Sequence, residues 1–352
     1  MTSAFWRGRP VLVTGHTGFK GGWLCWWLTH LGAKVAGFAL DPPTAPSLFE
    51  ASGLSSAVTS IRNDVRDAAA MAAAFRKHRP EVVFHMAAQS LVRESYLRPT
   101  ETFSTNVEGT VNCLEAARHC DAVRAVVVVT TDKCYRNPGA GRAFREDDEL
   151  GGDDPYAASK ACAELVTQAY RKSFFNERGA TLVASVRAGN VIGGGDWAAD
   201  RLVPDAMRAF AAAQPLRVRN PGSTRPWQHV LEPLRGYLLL AERLHAGERA
   251  AAKAWNFGPD QSDARPVSWV VDQIVRRWGS AACWQRDATE QPHEAVALAL
   301  DSDRARTELG WRPALPLDKA LDWVVEWYQT FASRGARAVT LEQIARYQTL
   351  QA

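Results

Sequence analysis

Short hydrophobic runs alternate with amphipathic stretches through the first half of the chain. Hydrophobic residues at helical spacing predict helices over Gly21–Leu31, Asp67–Lys77, Thr100–His119 and Pro155 to about Phe175. The runs between them predict strands over Pro10–Val13, Lys34–Ala39, Ala57–Ile61, Glu81–His85, Ala125–Thr130 and Thr181–Val186. Because Ala125–Thr130 is apolar throughout, we expect helices to cover it on both faces. This alternation predicts an α/β fold with a doubly wound parallel sheet.

The regular alternation ends beyond Gly193. Glycine, proline and tryptophan become frequent there, and the predicted elements shorten. We therefore predict two units, a sheet domain over residues 1–190 and a smaller mixed α/β lobe over residues 191–352. Some segments of the second unit are expected to return to the main sheet.

Composition is that of an ordinary globular protein. Of the 352 residues, 46% are hydrophobic and 23% are charged, which excludes a disordered chain, a coiled coil and a collagen-like repeat. The net charge of +4, from 42 basic and 38 acidic residues, argues for neither a nucleic-acid nor a membrane partner. Six scattered cysteines, no signal peptide and no apolar stretch suited to a bilayer predict a cytoplasmic protein. His293-Glu294 has no second ligand at helical spacing, so we expect no metal site.

A glycine-rich turn, GHTGFKG over residues 15–21, follows the first predicted strand and opens the first predicted helix. Glycines here allow a tight turn and let backbone N–H groups approach a pyrophosphate at the start of the helix. A plain loop between strand and helix is the alternative, although the position after the first strand favours phosphate binding. The candidate contacts are Gly15, Thr17, Gly18, Phe19, Lys20 and Gly21.

Further cofactor candidates follow the next three predicted strands. Asp41 follows the second strand, where a carboxylate can accept hydrogen bonds from a ribose diol and favours NAD over NADP; a turn aspartate before two prolines is the alternative. Asp64 and Val65 follow the third strand and could border an adenine, or could belong to a solvated loop. Ala87 and Ala88 follow the fourth strand, where small side chains allow a cofactor to lie against the backbone, although any tight loop would look the same.

Two polar motifs flank the fifth predicted strand and the helix after it. Tyr156 and Lys160 stand four residues apart on one helix face, so the lysine can lower the pKa of the phenol and favour a general base. The motif also occurs by chance, but its position near the start of this helix favours function. Thr131, Asp132 and Lys133 end the fifth strand, at the sheet edge where ligand sites gather. They could supply an acid and a base, or be ordinary surface charges.

The second unit contains candidate ligand groups in two segments. The segment RAGNVIGGGDW, residues 187–197, combines glycines with Asn190 and Trp197 and could orient a polar ligand. Arg219 and Arg225 lie in RVRN and RPWQH, and arginine suits bidentate contact with phosphate oxygens. Trp227 could equally belong to the core.

These motifs, in this order, resemble the nucleotide-sugar 4,6-dehydratases of the extended short-chain dehydrogenase/reductase superfamily. The resemblance covers nearly the whole chain, from VLVTGHTGFKGGWL through HMAAQSLVRESY, TTDKCY, DPYAASKACAE and VRAGNVIGGGDW to RPWQHVLEPL and LGWRP. GHTGFKG, Thr131-Asp132-Lys133 and RAGNVIGGGDW are most similar to the branch that acts on CDP-glucose. The resemblance implies a Rossmann-type sheet domain, a lobe that binds the nucleotide sugar, and NAD that stays bound and is regenerated in each turnover.

The resemblance also implies roles for the motif residues. Tyr156, assisted by Lys160, would take the proton of the sugar 4-hydroxyl while C4 gives hydride to NAD, and Thr131 would bond the same oxygen. Asp132 would protonate the departing 6-hydroxyl. Lys133 stands where related enzymes carry a glutamate base, and would either act at C5 or stabilise the enolate charge. Return of the hydride to C6 would give a CDP-4-keto-6-deoxyhexose.

Binding residues are implied in the same way. The cofactor would contact the candidates named above together with Asn106, Tyr156 and Lys160. The nucleotide sugar would contact Gln89, Asn190, Trp197, Arg201, Leu202, Arg219, Arg225 and His293. Relatives associate through the helices over Thr100–His119 and Pro155–Phe175, so we expect a homodimer or homotetramer.

Two other functions use some of the same residues. A nucleotide-sugar epimerase shares Tyr156 and Lys160 but has no equivalent of the acid and base at Asp132 and Lys133. A non-catalytic NAD-binding regulator would not need Tyr156, Lys160 and Thr131 together. Both alternatives are therefore disfavoured.

Overall fold

The computed structural model describes residues 3–350, apart from residues 138, 140, 176–178, 280–281, 288 and 290–297. Its strands are β1 (Pro10–Thr14), β2 (Lys34–Ala39), β3 (Thr59–Arg62), β4 (Val82–His85), β5 (Ala125–Val129), β6 (Leu182–Ala188), β7 (Asn190–Ile192), β8 (Leu216–Val218), β9 (Thr224–His229), β10 (Ala254–Phe257), β11 (Ala264–Pro266) and β12 (Trp284–Arg286). Seven of them form one parallel sheet in the order β10-β6-β5-β4-β1-β2-β3. The predicted doubly wound parallel sheet is confirmed.

The helices surround this sheet and build the second half of the molecule. They are α1 (Ser3–Trp6), α2 (Phe19–His30), α3 (Leu48–Ala51), α4 (Ala68–His78), α5 (Val92–Leu97), α6 (Pro99–Phe103), α7 (Gly109–Arg118), α8 (Pro155–Ser173), α9 (Leu202–Ala211), α10 (Leu231–His245), α11 (Val267–Trp278), α12 (Asp303–Glu308), α13 (Leu317–Arg334) and α14 (Ala336–Thr349). Within the described residues, no helix is both long enough and apolar enough to cross a membrane.

The central strands are buried on both faces, as the apolar pattern of β5 predicts. Val127 packs into one hydrophobic core on one side of the sheet, while Val126 and Val128 pack into a second core on the other side. Successive side chains of a strand point to opposite faces, so a strand covered by helices on both sides must be apolar at every position. Burial on both faces holds each strand, and therefore its carboxyl end, in place. The polar residues of the candidate site come directly after these ends.

The predicted long helix over Thr100–His119 is confirmed, with a π-helical segment inside it that the sequence did not predict. The chain forms α6, the π-helical segment over Ser104–Glu108, and then α7 without interruption. The wider π turn holds Asn106, whose amide bonds the backbone N–H and carbonyl of Gln89 at 2.9 and 3.0 Å and the hydroxyl of Ser159 at 2.8 Å. These tertiary bonds compensate for the wider turn, which explains why periodicity alone did not predict it.

The second half of the chain contributes to the main sheet as well as to smaller ones. β10 pairs with β6 in parallel and forms an edge of the seven-stranded sheet. β11, β9 and β7 form a three-stranded sheet, and β12 pairs with β8. β7 continues almost directly from β6, so the small sheet lies next to the carboxyl end of the large one.

Candidate functional site

The glycine-rich turn lies where β1 ends and α2 begins. Gly15 has φ +77°, and a Cβ atom there would approach the backbone of Ala87 to 2.9 Å. A Cβ atom at Gly21 would overlap the carbonyl oxygen of Gly15. Gly18, by contrast, precedes α2 without a side-chain cap and would tolerate a Cβ atom within the protein. The protein's own packing therefore requires two of these glycines, whereas Gly18 leaves the start of the helix open to an anion such as a pyrophosphate.

Two buried residues that sequence analysis missed join this turn to the loop after β4. Thr14 ends β1, and its hydroxyl accepts the N–H groups of Met86 and Ala87 at 3.0 and 3.1 Å. The same hydroxyl lies 2.9 Å from Nδ1 of His85, which ends β4. Burial lowers the pKa of His85 to about 3, so its ring is neutral. Polar residues at the last position of otherwise apolar strands are the sequence signal that could have identified this pair.

The acidic cofactor candidates differ in how freely they could accept a ligand. The Asp41 side chain is 90% exposed, and one carboxylate oxygen lies 3.4 Å from Nε of Arg62. Asp64 is already bonded to the backbone N–H and guanidinium of Arg66, which lowers its pKa. Val65 is buried against Gly109. Asp41 is therefore the more accessible carboxylate of the two.

The turn after β5 carries a buried acid. Thr131 donates its hydroxyl hydrogen to Oδ1 of Asp132 at 3.1 Å and accepts the N–H of Lys133 at 3.4 Å. Asp132 is 3% exposed, and its Oδ2 makes no hydrogen bond to any residue that the structure describes. Burial raises the pKa of Asp132, although the charges of Lys133 and Arg225 and the Thr131 bond oppose this. A carboxyl group in such a setting can hold a proton and donate it.

Tyr156 and Lys160 lie on the first turns of α8, as their spacing predicts. Asp154 caps this helix by accepting the N–H of Ala157 at 2.8 Å. Tyr156 is 8% exposed, and burial raises its pKa to about 12, with a hydrogen bond to Thr131 acting in the opposite direction. Lys160 donates to the carbonyl of Val129 at 3.1 Å, and burial lowers its pKa to about 8.

In the free protein the pKa of Tyr156 lies above its ordinary value, because desolvation outweighs Thr131 and Arg201, which favour the phenolate. The helix places Tyr156 and Lys160 on one face, and the lysine ammonium is bonded to the end of β5. That Lys160 lowers the pKa of the phenol stays a prediction. Thr131 gives its hydroxyl hydrogen to Asp132, whose charge acts on the phenol of Tyr156.

A buried ion pair between β6 and α8 contacts the end of the chain segment that leads into the turn after β5. Sequence analysis did not predict this pair. Arg187 in β6 and Glu164 in α8 form two hydrogen bonds of 2.9 Å, with both side chains almost fully buried. Glu164 also accepts the hydroxyl groups of Thr130 and Ser185, and Arg187 donates to the hydroxyl of Tyr135 at 2.7 Å. The network therefore fixes the residues on both sides of Thr131-Asp132-Lys133.

Of the three predicted arginines, Arg201 and Arg225 act on the charges of this centre, and Arg201 and Arg219 are already paired with aspartates. Arg201 bonds Asp196 and the hydroxyl of Ser90, each at 3.0 Å. Arg219 donates to the carboxylate of Asp200 at 3.1 Å. Arg225 is buried and its charge acts on Asp132.

Other predicted ligand contacts are engaged within the protein. Trp197 packs edge-on against Trp327, Tyr328 and Phe331, with ring centroids 5.6 to 6.0 Å apart. Gln89 bonds the hydroxyl of Thr102 and the backbone of Leu91.

Half-buried positions that a ligand could still contact are Phe19, Ala88, Asn190 and Leu202. Thr17 is buried and bonds the carbonyl of Leu40. His293 lies outside the described residues.

No grouping of three His, Cys, Asp or Glu side chains able to hold a metal ion occurs in the described ranges. The side chains of the site offer a phenol, two lysines and a buried carboxyl group near the carboxyl ends of parallel strands. Such an edge beside an open helix N-terminus suits a dinucleotide and a second ligand placed next to it.

Comparison with known proteins agrees with this geometry. The CDP-glucose 4,6-dehydratase of Salmonella typhimurium is 50% identical over 331 residues, which cover 93% of this chain and 92% of that protein. Among solved structures, the Thermus thermophilus UDP-glucose 4-epimerase in complex with NAD matches with a TM-score of 0.79 at 25% identity, over 91% of this chain and 99% of that one. The Bacillus anthracis dTDP-glucose 4,6-dehydratase in complex with NAD matches with a TM-score of 0.77 at 20% identity, over 93% and 98%.

An epimerase and a dehydratase thus share this fold about equally well, so the fold does not separate the two activities. The sequence profile of the GDP-mannose 4,6-dehydratase family matches residues 12–323, which is most of the chain. The chain therefore belongs to the GDP-mannose 4,6-dehydratase family.

Proposed function

We propose that this protein is a CDP-glucose 4,6-dehydratase, which removes water from the sugar of CDP-glucose and yields CDP-4-keto-6-deoxyglucose. The observation that carries the proposal is the buried carboxyl group of Asp132, which accepts the hydroxyl hydrogen of Thr131 and whose charge acts on the phenol of Tyr156. A base for the 4-hydroxyl and an acid for the 6-hydroxyl are two of the proton-handling groups that the reaction needs. The 50% identity to the Salmonella enzyme supports CDP-glucose as substrate.

The proposal includes NAD, which accepts a hydride from C4 and later returns it to C6. The turn around Gly18 would hold its pyrophosphate, because the start of α2 is open there and lacks a side-chain cap. Asp41, exposed at the end of β2, would accept the hydroxyls of the adenosine ribose. Gly15 and Ala87 lie in close contact and would form the floor beneath the dinucleotide.

Tyr156 is the group that removes the proton of the sugar 4-hydroxyl as the hydride leaves C4. Its high pKa in the free protein means that the phenolate forms only when substrate and cofactor bring further positive charge or hydrogen bonds to it. Lys160, with a pKa lowered to about 8, is the nearby group able to gain or lose such a charge. Thr131 would bond the same sugar oxygen.

Asp132 is the group that protonates the departing 6-oxygen, because burial keeps its proton available at a pH where an exposed aspartate would be ionised. Loss of the C5 proton and of the 6-hydroxyl as water leaves a double bond between C5 and C6. Lys133, next in the chain, would remove the C5 proton or stabilise the enolate that follows. The returning hydride at C6 and a proton at C5 complete the product.

The nucleotide sugar would bind between the sheet and the C-terminal arginines. Arg201 and Arg219 would exchange Asp196 and Asp200 for diphosphate oxygens, with Arg225 beside Asp132 and Asn190 nearer the sugar. The contributions of Gln89, Leu202 and His293 to this site stay predictions. So does a cytoplasmic location.

We also propose that the protein is a homo-oligomer. Leu97, Phe103 and Leu165 are large apolar side chains exposed on the helices α5, α6 and α8. Burial of these side chains against a second copy would remove them from water, and size-exclusion chromatography with light scattering would give the number of subunits.

A nucleotide-sugar epimerase is the second candidate, because the fold match to an epimerase is as close as the match to a dehydratase. Tyr156 and Lys160 would serve both reactions, whereas a buried acid at Asp132 serves only elimination. An epimerase would change the stereochemistry of the sugar and leave its mass unchanged.

Mass spectrometry of the products from CDP-glucose, with and without added NAD, tests the proposal. We expect a product lighter by one water, and deuterium placed at C4 should reappear at C6. An isomer of unchanged mass would contradict the dehydratase and establish the epimerase. In parallel, Lys133→Ala should still reduce NAD in a single turnover but block elimination, and full turnover by this variant would remove Lys133 from the mechanism.

A further inference from the structure

His85, at the end of β4, belongs to a buried chain of hydrogen bonds whose direction follows from the donors available. The hydroxyl oxygen of Thr14 already accepts the N–H groups of Met86 and Ala87, at 3.0 and 3.1 Å. A hydroxyl group has two lone pairs and one hydrogen, so the hydrogen of Thr14 is left for Nδ1 of His85, 2.9 Å away. Nδ1 is therefore an acceptor and carries no hydrogen.

The other ring nitrogen of His85 continues the chain into the π-helical segment and α7. Burial, and to a smaller extent the charge of Lys160, lower the pKa of His85 to about 3, so the ring is neutral and its single N–H hydrogen is on Nε2. Nε2 lies 3.2 Å from the hydroxyl oxygen of Thr110, which donates its own hydrogen to the carbonyl of Asn106 at 2.7 Å. The donors thus point in one direction from the ring to Asn106, and every side chain on the way is buried.

The two ends of this chain belong to the two surfaces that the proposed reaction must hold together. At one end, Ala87 packs so closely on the glycine-rich turn that a Cβ atom at Gly15 would lie 2.9 Å from its backbone. At the other end, the amide of Asn106 donates to the hydroxyl of Ser159 at 2.8 Å. Ser159 in turn donates to the backbone carbonyl of Tyr156 at 2.7 Å. The chain therefore connects the floor of the proposed cofactor site to the first turn of α8, which carries the proposed base.

We propose that His85 is a positioning residue, whose neutral ring with its hydrogen on Nε2 keeps the cofactor floor and the base on α8 at the spacing that hydride transfer needs. The inference rests on the proposed function. In that step the C4–H bond of the sugar breaks and its electron pair leaves with the hydrogen for the nicotinamide, while the 4-hydroxyl proton goes to Tyr156. His85 makes and breaks no bond. A displacement of about 1 Å between reacting groups can lower a rate about a hundredfold, so a residue outside the site can control the step.

The groups around the ring are compatible with only one form of the side chain. A protonated ring would direct a hydrogen at the hydroxyl oxygen of Thr14, whose lone pairs are both in use, and would add a positive charge close to Lys160. The other neutral tautomer would direct a hydrogen at the same oxygen. It would also leave Nε2 without a donor, because the hydrogen of Thr110 is bonded to Asn106. The form with the hydrogen on Nε2 satisfies both ends.

Thr110→Val tests the inference by breaking the chain in its middle while keeping the shape of the side chain. At saturating NAD and CDP-glucose, the rate of nicotinamide reduction in a single turnover should fall about tenfold, whereas the dissociation constants of both ligands should stay at their wild-type values. Thr110→Ser keeps the hydroxyl and should restore the rate. Thr167→Val is the matched control and should leave the rate unchanged. Thr167 is also a buried helical residue whose hydroxyl donates at 2.7 Å to the carbonyl four residues earlier, but that bond lies outside the chain.

A second substitution breaks the same bond from the other side. His85→Asn keeps an acceptor near the place of Nδ1 but has no atom at the place of Nε2, so the bond to Thr110 is lost. The double variant His85→Asn/Thr110→Val should be no slower in nicotinamide reduction than the slower of the two single variants, because both substitutions remove one shared bond. Losses that multiply would mean that the two residues act separately, which would overturn the inference.

Nitrogen NMR of protein labelled at its histidine rings gives a signal that does not depend on activity. The His85 signals are identified in the ligand-free wild-type protein by their absence from His85→Asn. At neutral pH they should be those of a neutral ring with its hydrogen on Nε2. In Thr110→Val, exchange of the Met86 and Ala87 amide hydrogens with deuterium should become faster, since the loop after β4 is held less firmly, and Thr167→Val should not change it.

The results that would overturn the inference can be distinguished from failure of the proposed function. A hydrogen on Nδ1, or a charged ring, would contradict the chain itself. An unchanged rate in Thr110→Val, an equal fall in Thr167→Val, or weaker ligand binding at an unchanged rate would remove His85 from the step and leave the proposed function intact. Failure of the wild-type protein to reduce NAD with CDP-glucose, while the ring signals are as expected, would overturn the proposed function and the inference together.

Discussion

Two sets of buried charges lie close together in this protein, and they differ in how many of their hydrogen-bonding groups have partners. The Arg187–Glu164 pair beneath the catalytic turn is bidentate, and its remaining hydrogen-bonding positions are taken by Thr130, Ser185 and Tyr135. By contrast, Asp132 has an oxygen that bonds to no described residue, and among the described residues Lys20 has only the phenol of Tyr237 as a hydrogen-bond partner. The first set is paired within the protein, whereas the second leaves groups that a ligand could bind.

The difference shows which charges hold the fold together and which are available for chemistry. A buried ion pair that satisfies all its groups fixes its neighbours, but it has no capacity left for a ligand. A buried group without a partner costs stability in the free protein and gains interactions when ligand arrives. Incomplete hydrogen bonding, and not burial, therefore distinguishes Asp132 from the equally buried Arg187–Glu164 pair.

Among the substitutions that test this comparison, the largest effect is expected for Asp132, and the quantity affected is the rate of turnover. Asp132→Asn removes the acid that would protonate the 6-oxygen, so the rate of dehydration should fall about a thousandfold. Thermal stability should stay equal or rise, because asparagine replaces a buried carboxyl group whose pKa is raised by desolvation. Product formation and calorimetric melting measure the two quantities. A parallel loss of stability and activity would place Asp132 with the structural charges.

Removal of one charge from the Arg187–Glu164 pair should lower the stability of the protein instead of its activity. Arg187→Met leaves Glu164 buried without its partner and should lower the free energy of unfolding by about 3 kcal/mol. The double variant Arg187→Met/Glu164→Leu removes both charges and should recover part of that loss. Denaturant-induced unfolding measures both variants, and a single variant as stable as the wild-type protein would show that the pair does not hold the turn.

Glu232 offers an intermediate case, a buried carboxyl group with hydrogen bonds but no ion pair to any described residue. It accepts the backbone N–H groups of Ala314 and Leu315 at 3.0 and 2.7 Å and the hydroxyl of Tyr347 at 2.7 Å. Burial still raises its pKa from 4.5 to about 7. A raised pKa means that the folded state binds the proton more tightly, so this contribution to stability is complete below about pH 4.5 and is lost as the pH rises through about 7.

Over that pH window the wild-type protein should lose about 2 kcal/mol of stability through Glu232, and Glu232→Gln should lose none of that share. Melting temperatures recorded between about pH 4.5 and pH 7.5 for the two proteins provide the measurement. Identical slopes would mean that Glu232 titrates alike in the folded and unfolded chain.

The smallest effect is expected from an exposed ion pair. Arg136 lies 3.1 Å from Glu149, and both side chains are about two-thirds exposed. Arg136→Ala should change the free energy of unfolding by less than about 0.5 kcal/mol, because water competes for both groups. A loss comparable to that of Arg187→Met would show that pairing, rather than burial, sets the energy.

Sequence patterns of short range predicted much of the sheet. β2 matches its prediction at both ends, and β1, β4 and β5 differ from theirs by one residue. Asp67 and Asp154 cap α4 and α8 where the hydrophobic periodicity begins. These features succeed because a strand's alternation, a helix cap and a tight turn depend on residues a few positions apart.

The π turn between α6 and α7 could not be predicted in this way. It depends on Asn106 bonding Gln89 and Ser159, which lie 17 and 53 residues away along the chain. The raised pKa of Tyr156 in the free protein was likewise not predicted, because helix spacing indicates which residues share a face but not how much water is excluded from them.

The amino-acid sequence by itself determined the alternation of the main strands and helices in the first half of the chain, the glycine turn before α2, and the common helix face of Tyr156 and Lys160, because each arises from local geometry. Only the tertiary structure decided which charges are completed and which are not. Lys20 and Tyr237 stand 217 residues apart, and Arg187 meets Glu164 across the contact between β6 and α8. The balance between desolvation and pairing at those contacts depends on every element packed around them, and no local pattern encodes it.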